Sequence, residues 1–237
     1  KIKIRNSRNK SISRPNFLFI LIDDQPYDAL GHSGRYPFLK TPNIDRLAQQ
    51  GVRFENFFCT VALCSPSRAS FLTGTYPHIH GVTQNDPRVD PDWENYPPFT
   101  VSLQKAGYET AMVGKIHMKQ MGGKQHIRPG FDYWLSFQGQ GEYIDPILNE
   151  NGREFMEKGY MTDILTKYAV DWLTLKHDRS KPFSLLVWHK AVHEPFTPPE
   201  RHWNLFIDES LPQPPHKTAF ETFLGKPEWQ RIKAFDS

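Results

Sequence analysis

Apolar residues in this chain gather in short continuous runs that predict β-strands. Residues 16–22 and 183–188 are almost entirely apolar, which is the pattern of strands buried on both faces of a parallel sheet. Two further segments, at 52–58 and 110–113, also have strand-like patterns. These four segments are therefore the predicted strands.

Between the predicted strands, apolar residues recur at helical spacing. Prolines and capping residues near the starts, and glycines near the ends, predict helices within residues 41–51, 66–74, 99–107 and 160–176. Residues 122–159 are rich in glycine, glutamine, asparagine and aromatic residues, and they are predicted to form a long loop region. Strands and helices in this order predict an α/β fold with a mainly parallel central sheet flanked by helices.

Composition and charge exclude several classes of protein. With 38% hydrophobic and 23% charged residues, the 237-residue chain has an ordinary globular composition. The formal net charge is +3, and residues 1–14 carry six basic residues and no acidic one. We interpret this segment as a solvated basic tail, because no basic helix with interleaved aromatics follows it. We therefore expect no nucleic-acid partner, and no apolar run approaches the ~18 residues of a membrane span.

Polar residues that could bind a metal ion or take part in catalysis follow three of the predicted strands. They are Asp23 and Asp24 after the first strand, Lys115 and His117 after 110–113, and His193 beyond 183–188. Functional sites of open α/β sheets gather at the carboxyl ends of the strands. Two adjacent carboxylates repel each other unless a positive group compensates them, and a hard cation such as Ca²⁺ or Mg²⁺ would do so. A solvated acidic loop is the alternative interpretation of Asp23 and Asp24.

One segment matches a known signature at every fixed position. It reads Cys64-Ser65-Pro66-Ser67-Arg68, followed after three residues by Leu72-Thr73-Gly74. This resembles the signature of the type I, formylglycine-dependent sulfatases of the alkaline phosphatase superfamily. The resemblance implies that a maturation enzyme converts Cys64 to formylglycine, whose hydrated aldehyde is the nucleophile. An unmodified cysteine at a helix start, with a lowered thiol pKa, is the alternative.

Two later segments extend the resemblance. Gly107-Tyr108-x-Thr110 followed by Gly114-Lys115-x-His117 is similar to the second sulfatase motif, and His193-Glu194-Pro195 is similar to a third. The order of all these motifs along the chain also matches the family. Residues 15–237 are accordingly expected to be the amino-terminal portion of a sulfatase catalytic domain, with 1–14 as its tail.

The resemblance assigns a role to each matched residue. Lys115 is expected to contact the sulfate and the side chain at position 64, and His117 to act as the base that releases sulfate. Arg68 is expected to stabilise the formylglycine and its metal. His193 is expected to bind sulfate and to protonate the leaving oxygen. Asp23, Asp24 and the modified residue 64 are expected to bind Ca²⁺, with Mg²⁺ as the second candidate.

The implied function is the hydrolysis of sulfate monoesters on a sulfated carbohydrate. Residues 130–149 resemble the variable loops of glucosamine-6-sulfatase-like enzymes, in which Trp134 and Tyr143 could stack on a sugar ring or belong to the core. Two alternatives stay open. One is a phosphonate or phosphate ester hydrolase of the same superfamily, and the other is a non-catalytic relative that binds sulfated glycans.

The remaining expectations concern the length of the chain, its two cysteines, its compartment and its oligomeric state. Family members are longer, and their remaining metal ligands and a second sulfate-binding lysine are expected beyond Ser237. Cys59 and Cys64 could form a disulfide. No signal peptide is visible, while the resemblance implies a periplasmic, secreted or lysosome-like compartment. The oligomeric state is left open.

The remaining histidines and one glycine-rich segment receive simpler interpretations. His32 and His189 could line the pocket. The other six are predicted to be surface or loop residues: His78, His80, His126, His177, His202 and His216. Gly139-Gln140-Gly141 lacks the strand–turn–helix context of a dinucleotide-binding loop, so no such site is predicted there.

Overall fold

The computed structural model describes residues 14–210. They fall into two compact units, one made of the residues up to Gln25 together with Phe54–Pro199, and the other of Pro26–Arg53 together with the residues from Glu200 onwards. All of the predicted basic tail except Arg14, and also His216, lie outside the described residues. None of the helices within residues 14–210 is long and apolar enough to cross a membrane.

The first unit contains a six-stranded sheet with the order β1-β6-β2-β3-β4-β5. Its strands are β1 (Phe17–Leu21), β2 (Glu109–Lys115), β3 (Tyr133–Phe137), β4 (Ile147–Glu150), β5 (Arg153–Met156) and β6 (Phe183–Trp188). The four strands β1, β6, β2 and β3 are parallel to one another, whereas β4 and β5 form an antiparallel extension. The predicted fold class, a mainly parallel α/β sheet, is confirmed.

Helices occur in both units. The first unit has α2 (Cys64–Thr73), α3 (Pro77–His80), α4 (Phe99–Lys105) and α5 (Met161–Asp171), and a π-helical turn (Trp172–Lys176) prolongs α5. The second unit has α1 (Pro42–Gln50) and short 3₁₀ turns at Gly31–Ser33 and Glu200–His202, and a further 3₁₀ turn in the first unit spans Gly123–His126. The predicted helices are therefore confirmed, although α2 begins at Cys64, two residues before Pro66.

Successive side chains of the central strands divide the core of the first unit into two clusters. In β2, Ala111 and Val113 belong to a cluster that includes Leu165 and Trp172, whereas Met112 belongs to one that includes Leu72. This follows from the strand period of two, which sends neighbouring side chains to opposite faces of a sheet. The sheet is thus packed on both faces, and α2 is held on one of them.

The edge strand β1 corrects the prediction of a strand buried on both faces. Leu18 and Ile20 are 49% and 57% exposed, whereas Phe19 packs against the core. Within the described residues β1 pairs with β6 alone. Its continuous apolar sequence therefore fits burial on both faces, but one face is uncovered here.

The strand predicted at 52–58 is absent from the described residues. Val52, Phe54, Phe57 and Phe58 are each more than 70% exposed, and the segment forms bends that are not part of the six-stranded sheet. Apolar content alone predicted this strand. Without burial or a neighbouring strand, nothing stabilises an extended conformation there.

The loop predicted at 122–159 is also wrong, because β3, β4 and β5 lie within it. A usable signal was present in the dipeptide Asn151-Gly152, which connects β4 to β5 with φ angles of 51° and 93°. Asparagine followed by glycine is a strong hairpin signal, since both residues tolerate positive φ. The short strands, surrounded by glycine and amide residues, concealed the pattern.

Gly114 allows β2 and β6 to approach each other closely. Its φ is +123°, and a Cβ built on it would lie 2.7 Å from the carbonyl carbon of Trp188 and closer still to the carbonyl oxygen. Any side chain here would combine backbone strain with a backbone clash. The glycine next to Lys115 is therefore required by the packing of the sheet.

We predict that Gly114→Ala lowers the free energy of unfolding by about 3 kcal/mol or more, as measured by urea denaturation. Gly81→Ala is the matched control, because Gly81 has φ +81° but a Cβ added to it would meet no heavy atom within 4 Å. The control should cost only about 1–2 kcal/mol for the left-handed backbone. Equal losses in the two variants would contradict a clash at Gly114.

Candidate active site

The loops that follow β1 and β6 are joined by backbone hydrogen bonds. The N–H of His189 donates to the carbonyl of Leu21 at 2.9 Å, and the N–H of Asp23 donates to Ala191 at 2.8 Å. The carbonyl of Asp23 in turn accepts from Val192 at 2.7 Å. These bonds extend the parallel pairing of the two strands by a few residues, and they fix Asp23 at the carboxyl edge of the sheet.

Asp23 is the centre of a buried cluster of charges. Its Oδ2 accepts hydrogen bonds from Arg68 Nη2, at 3.1 Å, and from Lys115 Nζ. Asp23, Arg68 and Lys115 are 7%, 2% and 0% exposed. Burial alone would raise the pKa of Asp23, but the positive charges of Arg68 and Lys115 outweigh it and hold this pKa below its usual value. Asp23 is therefore ionised at neutral pH.

Arg68 connects α2 to the sheet. Its Nη1 donates to the carbonyl oxygen of Lys115 at 2.9 Å, and its guanidinium lies 5.1 Å from the ring centroid of Trp188. The guanidinium thus contacts a carboxylate, a carbonyl and an aromatic face at once. These contacts hold it rigidly, as its planar shape favours.

Lys115 ends β2 and directs its ammonium into the site. An ammonium group has three donors, and three acceptors surround this one: Asp23 Oδ2, Gln140 Oε1, and Cys64 Sγ at 3.7 Å. Lys115 is therefore held beside the side chain at position 64, as the sequence predicted.

Cys64 is the first residue of α2, and its Sγ lies 3.7 Å from Asp23 Oδ1. Burial raises the pKa of its thiol, and the nearby Lys115 offsets only part of this effect. The lowered thiol pKa expected for an unmodified cysteine is therefore not found, and the conversion of Cys64 to formylglycine stays a prediction. Cys59 and Cys64 do not form the disulfide that their sequence left possible, because both are free, and Cys59 is exposed.

Two backbone N–H groups at the start of α2 are already bonded within the protein. The N–H of Ser65 donates to Asn85 Oδ1 at 2.9 Å, and the N–H of Ser67 donates to the carbonyl of Leu63 at 3.0 Å. Pro66 has no N–H. An anion near residue 64 would therefore be bound mainly by the side chains around it.

His117 lies two residues beyond Lys115 in a left-handed conformation, with φ 52°. Ser65 Oγ donates to its carbonyl oxygen, which ties this residue to α2. Burial, followed by the positive charges of Lys115 and Arg68, lowers the pKa of His117 to about 4. Its Nδ1 is buried and has no hydrogen-bond partner among the described residues. The imidazole is thus neutral at pH 7, and one of its ring nitrogens carries no proton.

His193 and Asp24 form the outer side of the site. His193 Nε2 lies 3.7 Å from Asp24 Oδ2, and the Asp24 side chain is 56% exposed. Tyr143 donates its hydroxyl to the carbonyl of His193 at 2.6 Å. The structure therefore brings all seven predicted site residues to one edge of the sheet, and their chemical roles remain predictions.

Three residues at this edge were not predicted in the roles that their contacts suggest. Gln140 accepts a hydrogen bond from the Lys115 ammonium, and Tyr143 donates one to the backbone carbonyl of His193. The third residue is Lys190, which is 2% exposed. Lys190 Nζ donates to the carbonyl of Glu194 at 3.2 Å and lies 4.8 Å from the ring centroid of Tyr143. The position of Lys190 two residues after β6 could have indicated a place in the site, since Asp23, Lys115 and His193 also lie at or beyond strand ends.

Burial decides between the two interpretations of Trp134 and corrects the predictions for two histidines. Trp134 is fully buried in the core, so it is not available to stack on a sugar. His80 and His126, predicted to be surface or loop residues, are 2% and 1% exposed. The His80 ring lies 3.0 Å from Ser70 Oγ, and the His126 ring packs edge-on against Trp134. Burial lowers the pKa of both histidines, to about 4 for His126.

The remaining histidines are tied to other elements. His32, in the second unit, contacts Asp45 at 3.2 Å. His189 is largely buried, and this burial lowers its pKa. His78 and His202 are exposed as predicted, and His177 packs partly against Trp172.

The carboxylates present suit a hard cation but supply only part of its ligands. Ca²⁺ takes six to eight oxygen ligands, and residues 14–210 contain no group of three or more His, Cys, Asp or Glu side chains arranged to hold a metal. Asp23 Oδ1 and the exposed Asp24 carboxylate are oxygen donors of the right kind, next to Cys64. The donor set therefore fits such an ion as one side of a larger site.

Comparison with known proteins identifies the family. A sulfatase family model matches residues 15–215, which is most of the chain. The chain therefore belongs to the sulfatase family.

Among its relatives, the N-acetylglucosamine-6-O-sulfatase of Bacteroides thetaiotaomicron is 37% identical over 224 residues, or 93% of this chain and 38% of that protein. The N-acetylglucosamine-6-sulfatase of Capra hircus is 31% identical over 222 residues, or 86% of this chain and 38% of that protein. A protein solved in complex with its substrate D-glucosamine-2-N,6-O-disulfate aligns with a TM-score of 0.76 and 38% identity, over 85% of this chain and 39% of that chain. The chain thus spans well under half the length of these relatives.

We predict that iodoacetamide at pH 7.5 alkylates Cys59 at least roughly tenfold faster than Cys64, in protein produced without the maturation enzyme. Cys59 is exposed, whereas burial keeps the Cys64 thiol protonated. Alkylation of Cys64 should become appreciable only as the pH rises above the ordinary thiol pKa of about 8.5. Peptide mass spectrometry measures both rates, and equal rates at pH 7.5 would contradict the raised pKa.

Proposed function

We propose that the protein carrying this chain is a sulfatase that hydrolyses sulfate monoesters of a carbohydrate through a formylglycine at position 64. The observation that carries this proposal is the placement of Cys64 beside a buried cluster of one negative side chain, Asp23, and two positive ones, Arg68 and Lys115. A sulfate ester is an anion that such a site would attract. The family and the carbohydrate sulfatases among the relatives support the same activity.

The modified residue supplies the chemistry that the thiol lacks. Formylglycine, once hydrated, offers one hydroxyl to attack sulfur and a second whose deprotonation lets sulfate leave. The raised thiol pKa of Cys64 agrees with this, since an unmodified cysteine here would be a weak nucleophile at neutral pH.

The surrounding side chains bind the anion and move protons. Lys115 and Arg68 stabilise negative charge on the sulfuryl oxygens from fixed positions. His117, neutral at pH 7, accepts the proton whose removal allows sulfate to leave. His193 donates a proton to the sugar oxygen as its bond to sulfur breaks.

The proposed substrate is a sulfated amino sugar, and glucosamine 6-sulfate is the first to test. Two relatives are named N-acetylglucosamine-6-sulfatases, and the aligned structure holds a glucosamine sulfated at nitrogen and at oxygen 6. A periplasmic, secreted or lysosome-like compartment fits a substrate of this kind. The proposed partners are this glycan and the enzyme that converts Cys64.

Cys64→Ala should abolish hydrolysis of a sulfate monoester by the full-length protein produced with the maturation enzyme, while Cys59→Ala retains it. Lys115→Ala should lower kcat/KM by about 10²-fold or more, as for loss of a preorganised charge.

Parallel assays on phosphonate and phosphate monoesters test the alternative hydrolase. Faster phosphonate turnover by the wild type would overturn the proposal, as would turnover that persists in Cys64→Ala. Intact formylglycine without turnover of any ester would favour the glycan-binding alternative.

We further propose that Asp23 and Asp24, with residue 64, form part of a Ca²⁺ site in the full-length protein, with Mg²⁺ as the weaker candidate. Adding Ca²⁺ after chelation should raise the Tm of the wild type by several degrees, since a ligand that binds only the folded state stabilises it. Asp24→Asn should reduce this rise, whereas Asp171→Asn, a surface change on α5, should not. The same rise in wild type and Asp24→Asn would remove Asp24 from the site.

A further inference from the structure

A short loop with two glycines places Gln140 next to Lys115. In the sheet, Phe137 at the end of β3 is in register with Lys115 at the end of β2, so the loop after β3 begins beside that lysine. Gly139 and Gly141 have φ angles of 57° and 67°, and a Cβ on Gly141 would lie 2.5 Å from the ring of Phe137. The loop therefore turns tightly against Phe137 and presents the side chain between the two glycines.

The carboxamide of Gln140 is the neutral oxygen acceptor for the Lys115 ammonium. The other oxygen acceptor is the charged carboxylate of Asp23, and the third contact is Sγ of Cys64. With two directions held by Asp23 and Gln140, the third N–H can only turn towards position 64. Gln140 thus completes the geometry that aims the ammonium at the reacting group.

The neutrality of this acceptor also sets the charge of the site. The buried ion pairs beside position 64 join one negative group, Asp23, to two positive groups, Arg68 and Lys115. A carboxylate at position 140 would accept the same hydrogen bond but would lower the positive charge beside position 64. An amide keeps that charge for an incoming anion.

We propose that Gln140 is a positioning residue, whose neutral carboxamide aims Lys115 at residue 64 without lowering the positive charge that binds the sulfate group. The inference deepens the proposed sulfatase function and rests on it for the identity of the anion. Gln140 also lines a cavity of about 600 Å³ together with Gln138 and Leu148. A substitution at position 140 therefore faces open space on one side and should leave the fold intact.

The test compares two substitutions with a control in the full-length, formylglycine-containing protein. Gln140→Glu keeps the acceptor and adds a charge, Gln140→Ala removes the acceptor, and Gln138→Glu adds the same charge two residues away on the exposed part of the loop. Steady-state kinetics on a sulfate monoester give kcat and KM separately. The rise in Tm caused by inorganic sulfate reports anion binding without turnover.

Each variant has its own expected result. Gln140→Glu should raise KM and weaken sulfate binding, with kcat/KM lower by about 10²-fold. Gln140→Ala should lower kcat by roughly tenfold while sulfate binding changes little, because the charge is kept but the ammonium is no longer aimed. Gln138→Glu should resemble the wild type in every measurement.

The outcomes separate this inference from the proposed function. If Gln140→Glu binds sulfate and turns over ester as the wild type does, or if Gln138→Glu is equally impaired, the role of Gln140 is overturned. The same follows if inorganic sulfate does not stabilise the wild type at all. If the wild type binds sulfate but hydrolyses no sulfate ester, the proposed function fails, while the order of sulfate binding among the variants still decides the role of Gln140.

Discussion

The site depends on one buried carboxylate, Asp23, that is shared by two buried cations. Removing one partner of such a buried pair leaves an uncompensated charge and costs about 3–5 kcal/mol. The three side chains come from the loop after β1, from α2 and from β2, so the arrangement is stable only when the sheet and the helix are packed together. The packing of the first unit and the arrangement of charges in its site therefore depend on each other. Burial in this packing raises the thiol pKa of Cys64, and burial together with the charges of Lys115 and Arg68 lowers the pKa of His117.

Most of the site residues could be predicted from sequence because they lie at or beyond the end of a strand or, like Cys64, begin a helix. Asp23, Lys115 and His193 come after apolar runs that are easily recognised, and Cys64 stands in a motif with fixed spacing. Their proximity then follows from the rule that parallel strands end at the same edge of a sheet. Their protonation states could not be predicted, since these depend on burial and on charges distant in sequence.

Other features depend on contacts that local patterns do not encode. Whether β1 is covered on both faces is decided by neighbouring elements, so its apolar sequence predicted too much burial. The strand prediction for the exposed segment 52–58 was wrong for the same reason. Gln140 and Lys190 are polar residues of ordinary appearance whose importance arises only from what they touch. In contrast, the β4–β5 hairpin has a local sequence signal in the dipeptide Asn151-Gly152.

Gly114 has a consequence for how the chain finds its correct strand pairing. Only a residue without a side chain fits opposite the carbonyl of Trp188, so a slip of β2 by one position would press Val113 or Lys115 against that carbonyl. Such a slip would also turn every side chain of the strand to the other face. The glycine thus acts against misregistered folding, and it ensures that the lysine after it emerges on the side where the nucleophile stands.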